Sequence, residues 1–174
     1  LPATYGAGQT IVVVGDSLSS GYGIAAEQSW VALLEDRLES EGYGYEVVNA
    51  SIAGDTSSGG LARLPRLLEA HDPAFIVIEL GGNDGLRGLP VAQMRQNLSA
   101  MIRQSQKAGA RVLLVGMRMP PNYGPDYARE FEAAFPELAR RHKTALVPFL
   151  LEGMAEDLRL FQPDVIPGAK VSCV

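Results

Sequence analysis

The sequence predicts an α/β domain on a parallel sheet covered on both faces, and three observations lead there. Short β-branched runs alternate with stretches of helical periodicity along nearly the whole chain. The first run, Ile11-Val12-Val13-Val14, is unbroken apolar, as expected of a strand buried on both sides. Polar loops rich in glycine follow the first three such runs, where the carboxyl edge of a parallel sheet would open.

Residues 10–14 form the first predicted strand, which runs into Gly15-Asp16-Ser17. Residues 29–39 are the first helix, because Trp30, Leu33, Leu34 and Leu38 recur at helical spacing. Residues 46–49 give the second strand. Residues 61–70 give the second helix, with Leu61, Leu64, Leu67 and Leu68 on its apolar face. The third strand spans residues 75–80 and the third helix residues 90–108, with Gly109 as its stop. Residues 111–116 and 144–148 are the last two strands, separated by a helix over residues 127–142. Strand-helix alternation implies right-handed crossovers. No repeat, linker or low-complexity tract divides the chain, so residues 1–174 are expected to form one domain.

At 174 residues the chain can bury a continuous core without disulfides or metal. A formal charge of −5, with no cluster of Lys or Arg long enough to offset it, argues against a nucleic-acid partner. The single cysteine, Cys173, rules out an internal disulfide. No apolar stretch approaches the length of a membrane span, and Leu-Pro-Ala-Thr-Tyr-Gly at the start lacks signal-peptide character. A mature product whose leader has been removed fits the same start.

The chemistry concentrates in the three loops: 15–23 around Ser17, 49–56 around Gly54, and Gly81-Gly82-Asn83-Asp84. Ser17 is placed to act as a nucleophile. The backbone N–H groups of Ser17 and Gly54 and the Asn83 amide can converge on a developing oxyanion, since glycine lets a backbone N–H approach and an amide donates without needing a proton. Other signatures are absent: no Walker A loop, no Gly-x-Gly-x-x-Gly after the first strand, no His-Glu-x-x-His, and Ser19 where the Gly-x-Ser-x-Gly elbow needs glycine.

These residues resemble the SGNH/GDSL hydrolase family, most closely its bacterial branch of thioesterase I, lysophospholipase and arylesterase-like enzymes. The resemblance is carried in order by Gly15-Asp16-Ser17-Leu18-Ser19, Asn49-Ala-Ser-Ile-Ala-Gly54-Asp-Thr-Ser57, Glu79-Leu-Gly-Gly-Asn83-Asp84 and Pro120-Pro-Asn-Tyr-Gly124. It implies a flavodoxin-like three-layer α/β/α sandwich with a five-stranded parallel sheet. It also implies Ser17 as nucleophile, oxyanion donors at Ser17, Gly54 and Asn83, no metal and no organic cofactor. The implied substrate is a small acyl ester or thioester, and the implied location periplasmic or secreted.

The family closes its site with Asp-x-x-His before a terminal helix. Here Asp164 matches the orienting carboxylate, but Pro167 stands in the histidine's place and only seven residues follow it. Loss of the base from a comparable triad costs on the order of a millionfold in turnover, leaving about a thousandfold over water. A catalytically silent acyl-binding member of the fold is therefore the alternative reading. A homodimer that covers surface bared by the absent helix is a third.

Individually, Ser17 reads as a helix cap, and Gly54 and Asn83 as turn residues; their joint occurrence favours the catalytic reading. Asp16 is expected to hold the turn through backbone N–H bonds. His71 and His142 read as cations at helix C-termini, on the amino edge of the sheet and away from Ser17. Glu79, inside a buried strand, needs a partner and is expected to brace the third loop. Leu86, Pro120 and Tyr123 belong to segments that either line an acyl groove or pack as plain loops.

Overall fold

The computed structural model describes residues 9–154. Asp164, Pro167 and Cys173 lie outside the described residues. Five strands, β1 (Gln9–Gly15), β2 (Tyr45–Asn49), β3 (Phe75–Glu79), β4 (Arg111–Val115) and β5 (Ala145–Val147), form one sheet in the order β2-β1-β3-β4-β5. All four pairings are parallel, and Gly15 of β1 lies level with Glu79 of β3.

The two faces divide the apolar residues by the period-two alternation of a strand. Val12 and Val14 point into one layer with Ile76, Ile78, Val112 and Leu114. That layer packs under α3 (Ser57–His71), α5 (Val91–Lys107) and α6 (Pro125–His142), which contribute Leu64, Leu98, Met101, Phe131 and Phe135. Ile11, Val13, Val77 and Val115 face the other side, where Val31, Trp30 and Leu38 of α2 (Trp30–Ser40) cover them. The three central strands are thus apolar on both sides, which is why their sequences show no alternation.

Two one-turn helices, α1 (Ser17–Ser20) and α4 (Gly82–Leu86), follow β1 and β3; the sequence reading left both as loops. Helix α3 begins four residues earlier than its leucine spacing indicates, at Ser57, because Thr56 caps it and Asp84 accepts both the Ser57 N–H (2.8 Å) and the Ser57 hydroxyl (2.5 Å). A long-range acceptor thus satisfies a donor that the local sequence leaves orphaned. Among the described residues no helix is long and apolar enough to cross a membrane.

Candidate active site

The three polar loops meet at the carboxyl edge of the sheet, and side chains tie them together. Asp16 caps α1: its Oδ1 accepts the Leu18 N–H at 3.0 Å, the structural role expected of it. Its Oδ2 accepts one hydrogen of the Asn83 amide at 3.0 Å, while the other goes to the Asp55 carbonyl at 2.9 Å. One amide thereby spans the loops of Ser17, Gly54 and Asn83.

Further links reinforce this meeting. Arg63 of α3 donates to the Asp55 carboxylate (2.8 Å), to the Ala50 carbonyl and to the Gly15 carbonyl (3.4 Å). Arg87 donates to the Gly54 carbonyl at 2.8 Å, and Asn49 to the Ser19 carbonyl at 2.7 Å. Sequence reasoning missed Arg63 because it occupies a polar position of an amphipathic helix, the usual place of a solvated charge.

Ser17 is half-buried at the first position of α1, and among the described residues its hydroxyl has no hydrogen-bond partner. Neither the Ser17 N–H nor the Gly54 N–H is donated to a described residue. Gly54 reaches its position with φ at +79°, a conformation that a β-carbon disfavours. The two backbone donors are therefore available, whereas both hydrogens of Asn83 are engaged. For the amide to serve a further acceptor it has to release either Asp16 or Asp55.

Glu79 corrects the sequence expectation: it braces the first loop rather than the third. It is fully buried, and its Oε2 accepts the Ser19 hydroxyl at 2.6 Å and the Asp16 N–H at 3.3 Å. Burial, followed by the neighbouring Asp16 carboxylate, pushes its pKa up to about 8. Asp16 is also raised, chiefly by burial. Two adjacent buried carboxyls cannot both ionise cheaply, and the larger burial of Glu79 favours its being the one that keeps a proton.

Leu86 and Tyr123 come together as expected of neighbouring segments, the Tyr123 hydroxyl donating to the Leu86 carbonyl at 2.9 Å. Tyr127 donates to the Leu89 carbonyl at 2.8 Å and stacks on Tyr123. Leu86 is exposed and Pro120 half-buried, its carbonyl accepting the Tyr123 N–H.

The chain's two histidines end α3 and α6, each just before a strand begins. A strand of this length puts the opposite edge roughly 15 Å away. His142 Nε2 lies 2.8 Å from the Ser99 hydroxyl. Burial and then Arg141 and Arg103 hold its pKa below the usual value, so it departs from the helix-end cation that its position suggested. An open cleft of about 640 Å3 between α5 and α6, lined by Arg95, Arg103, Arg140 and Arg141 among others, lies away from the three loops.

The chain is similar to known proteins over most of its length. The family model described as GDSL-like lipase/acylhydrolase matches residues 13–168. Esterase TesA of Pseudomonas aeruginosa is 56% identical over 163 residues, covering 94% of this chain and 81% of TesA. Thioesterase 1/protease 1/lysophospholipase L1 of Escherichia coli K12 is 47% identical over 146 residues, covering 84% of this chain and 69% of its own length. The crystal structure of AlinE4, an SGNH-hydrolase family esterase, superposes with a TM-score of 0.88 at 42% identity, over 92% of this chain and 86% of AlinE4.

Proposed function

The chain belongs to the GDSL-like lipase/acylhydrolase family and is an ester hydrolase of the SGNH type; from that premise we propose that Ser17 is its nucleophile and that small acyl esters or thioesters are its substrates. The Asn83 amide, bridging Asp16 and Asp55, is the observation that carries this reading, since it puts the Ser17 and Gly54 loops at one point.

In this reading the Ser17 oxygen attacks the acyl carbonyl and gives its proton to a base. The Ser17 and Gly54 N–H groups stabilise the oxyanion, and Asn83 adds a third donor as one of its present bonds yields. Collapse expels the alcohol or thiol with a proton, and water then hydrolyses the acyl-enzyme by the same steps in reverse roles. Leu86, Pro120 and Tyr123 supply the apolar rim of the acyl site. Asp164 matches the carboxylate that orients a histidine in the family pattern, and Pro167 stands in that histidine's place here. The reaction needs neither metal nor organic cofactor, and a periplasmic or secreted location follows from the resemblance.

A second reading is favoured by a specific observation. Both histidines stand on the far edge of the sheet and Pro167 stands where the family pattern has its catalytic histidine, so the chain retains the crevice while turnover falls towards background. Hydrolysis of p-nitrophenyl butyrate by the chain and by Ser17→Ala separates the two. A rate that disappears in Ser17→Ala supports the hydrolytic reading. Equal rates overturn it and leave an acyl-binding protein; a concentration-dependent rate in light-scattering-defined dimers would point to a base from a second copy.

A further inference from the structure

Resting on the reading of Ser17 as nucleophile, we propose that Glu79 is the positioning residue of that nucleophile: held neutral beneath the first loop, it fixes the Asp16–Ser19 turn and keeps Asp16 as the single carboxylate that orients the Asn83 amide. Glu79 touches no reacting atom. It acts through Asp16 and Ser19.

Four features of the structure converge on this role. Glu79 ends β3 level with Gly15, and its Oε2 receives both the Asp16 N–H and the Ser19 hydroxyl, so it grips the turn on either side of Ser17. Gly15 is the residue that admits it: a β-carbon there would stand 2.8 Å from Glu79 Oε2 and 2.6 Å from the Ser19 side chain. The two carboxyls have unlike surroundings. Asp16 accepts two N–H donors, one at each oxygen, whereas both donors to Glu79 fall on Oε2 and its buried Oε1 has no partner among the described residues, so ionisation of Glu79 would leave one anionic oxygen unsolvated. Finally, Arg63 of α3, which reaches the Gly15 carbonyl beside Asp16, is paired with Asp55 of the second loop, and among the described residues neither Asp16 nor Glu79 has a cation as ion-pair partner.

Ionisation of Glu79 therefore sets two carboxylates against each other in a dry site. Asp16 is driven off the Leu18 N–H and the Asn83 amide, and the alignment of Ser17 with its oxyanion donors is lost. Burial and Asp16 place that ionisation near pH 8.

The test follows backbone and side-chain amide signals of the 15N-labelled full chain by NMR between pH 6 and 10, alongside the Ser17-dependent rate, for the wild type and Glu79→Gln. In the wild type the Leu18 N–H and both Asn83 amide protons are expected to shift together with one midpoint near 8, and the rate to fall about tenfold one unit above that midpoint. In Glu79→Gln the shared midpoint and the alkaline fall disappear. Glu79→Gln retaining both overturns the inference. Ser19→Ala is the second variant: it removes the hydroxyl that favours the Glu79 anion, so the midpoint moves upward, and an unmoved midpoint counts equally against the proposal. Equal rates in the wild type and Ser17→Ala would sink the hydrolytic reading alone, because the NMR arm does not depend on turnover.

Discussion

Replacing Arg63 by leucine removes a cation that three groups at the crevice rely on: the Asp55 carboxylate and the carbonyls of Ala50 and Gly15. The Arg63 and Asp55 side chains are only 20% and 12% exposed, so the substitution strands a largely dehydrated carboxylate. Removing one member of such a pair costs about 3–5 kcal/mol, and the remaining exposure here places Arg63→Leu near the lower end, about 3 kcal/mol. For a chain of this size each kcal/mol lowers Tm by about 2–4 °C, giving an expected fall of about 6–12 °C in thermal unfolding followed by circular dichroism. Arg37→Ala is the internal control. Its pair with Glu41 is 75% and 46% exposed, and its loss is expected to cost no more than about 0.5 kcal/mol. Equal Tm shifts in the two variants would refute the argument that burial, rather than ion pairing as such, gives Arg63 its weight.

Asp84→Ala leaves the buried Ser57 N–H and hydroxyl without their acceptor, and a loss of about 2–3 kcal/mol is expected in urea unfolding; a change below about 0.5 kcal/mol would show that water replaces the carboxylate fully. For His142 the folded state disfavours the proton, so the unfolded chain takes it up first. The stability that the neutral ring contributes is present above about pH 6.5 and is lost as the pH falls below it. His142→Asn is expected to flatten the decline of Tm between pH 7 and 5, and an unchanged slope would rule out this ring as its source.

The five strands and four long helices were legible because burial on two faces writes itself as apolar runs and leucine spacing. What stayed hidden depends on partners distant in sequence. Helices α1 and α4 are too short for periodicity, and the first is held by the Asp16 carboxylate and the Glu79 contact beneath it. The start of α3 is fixed by Asp84, 27 residues downstream of Ser57. At the site, the meeting of the Ser17, Gly54 and Asn83 loops could be anticipated from strand order. The engagement of both Asn83 hydrogens could not, since it depends on where the Asp55 carbonyl points. Glu79 was visible as an acid in a buried strand, but its partner loop followed from the register of β1 against β3.

Six of the ties across the crevice end on backbone carbonyls: those of Gly15, Ser19, Ala50, Gly54, Asp55 and Leu86. A carbonyl is present whatever side chain its residue carries, so the accepting half of this lattice is indifferent to substitution wherever the backbone path is kept. For these six ties the chemical individuality rests on the donors, Asn49, Arg63, Asn83, Arg87 and Tyr123. Mutational tolerance along the rim is therefore expected to be lopsided, generous at Ala50 and Leu86, which receive through the backbone alone, and narrow at the donors and at the accepting carboxylates of Asp16, Asp55, Glu79 and Asp84.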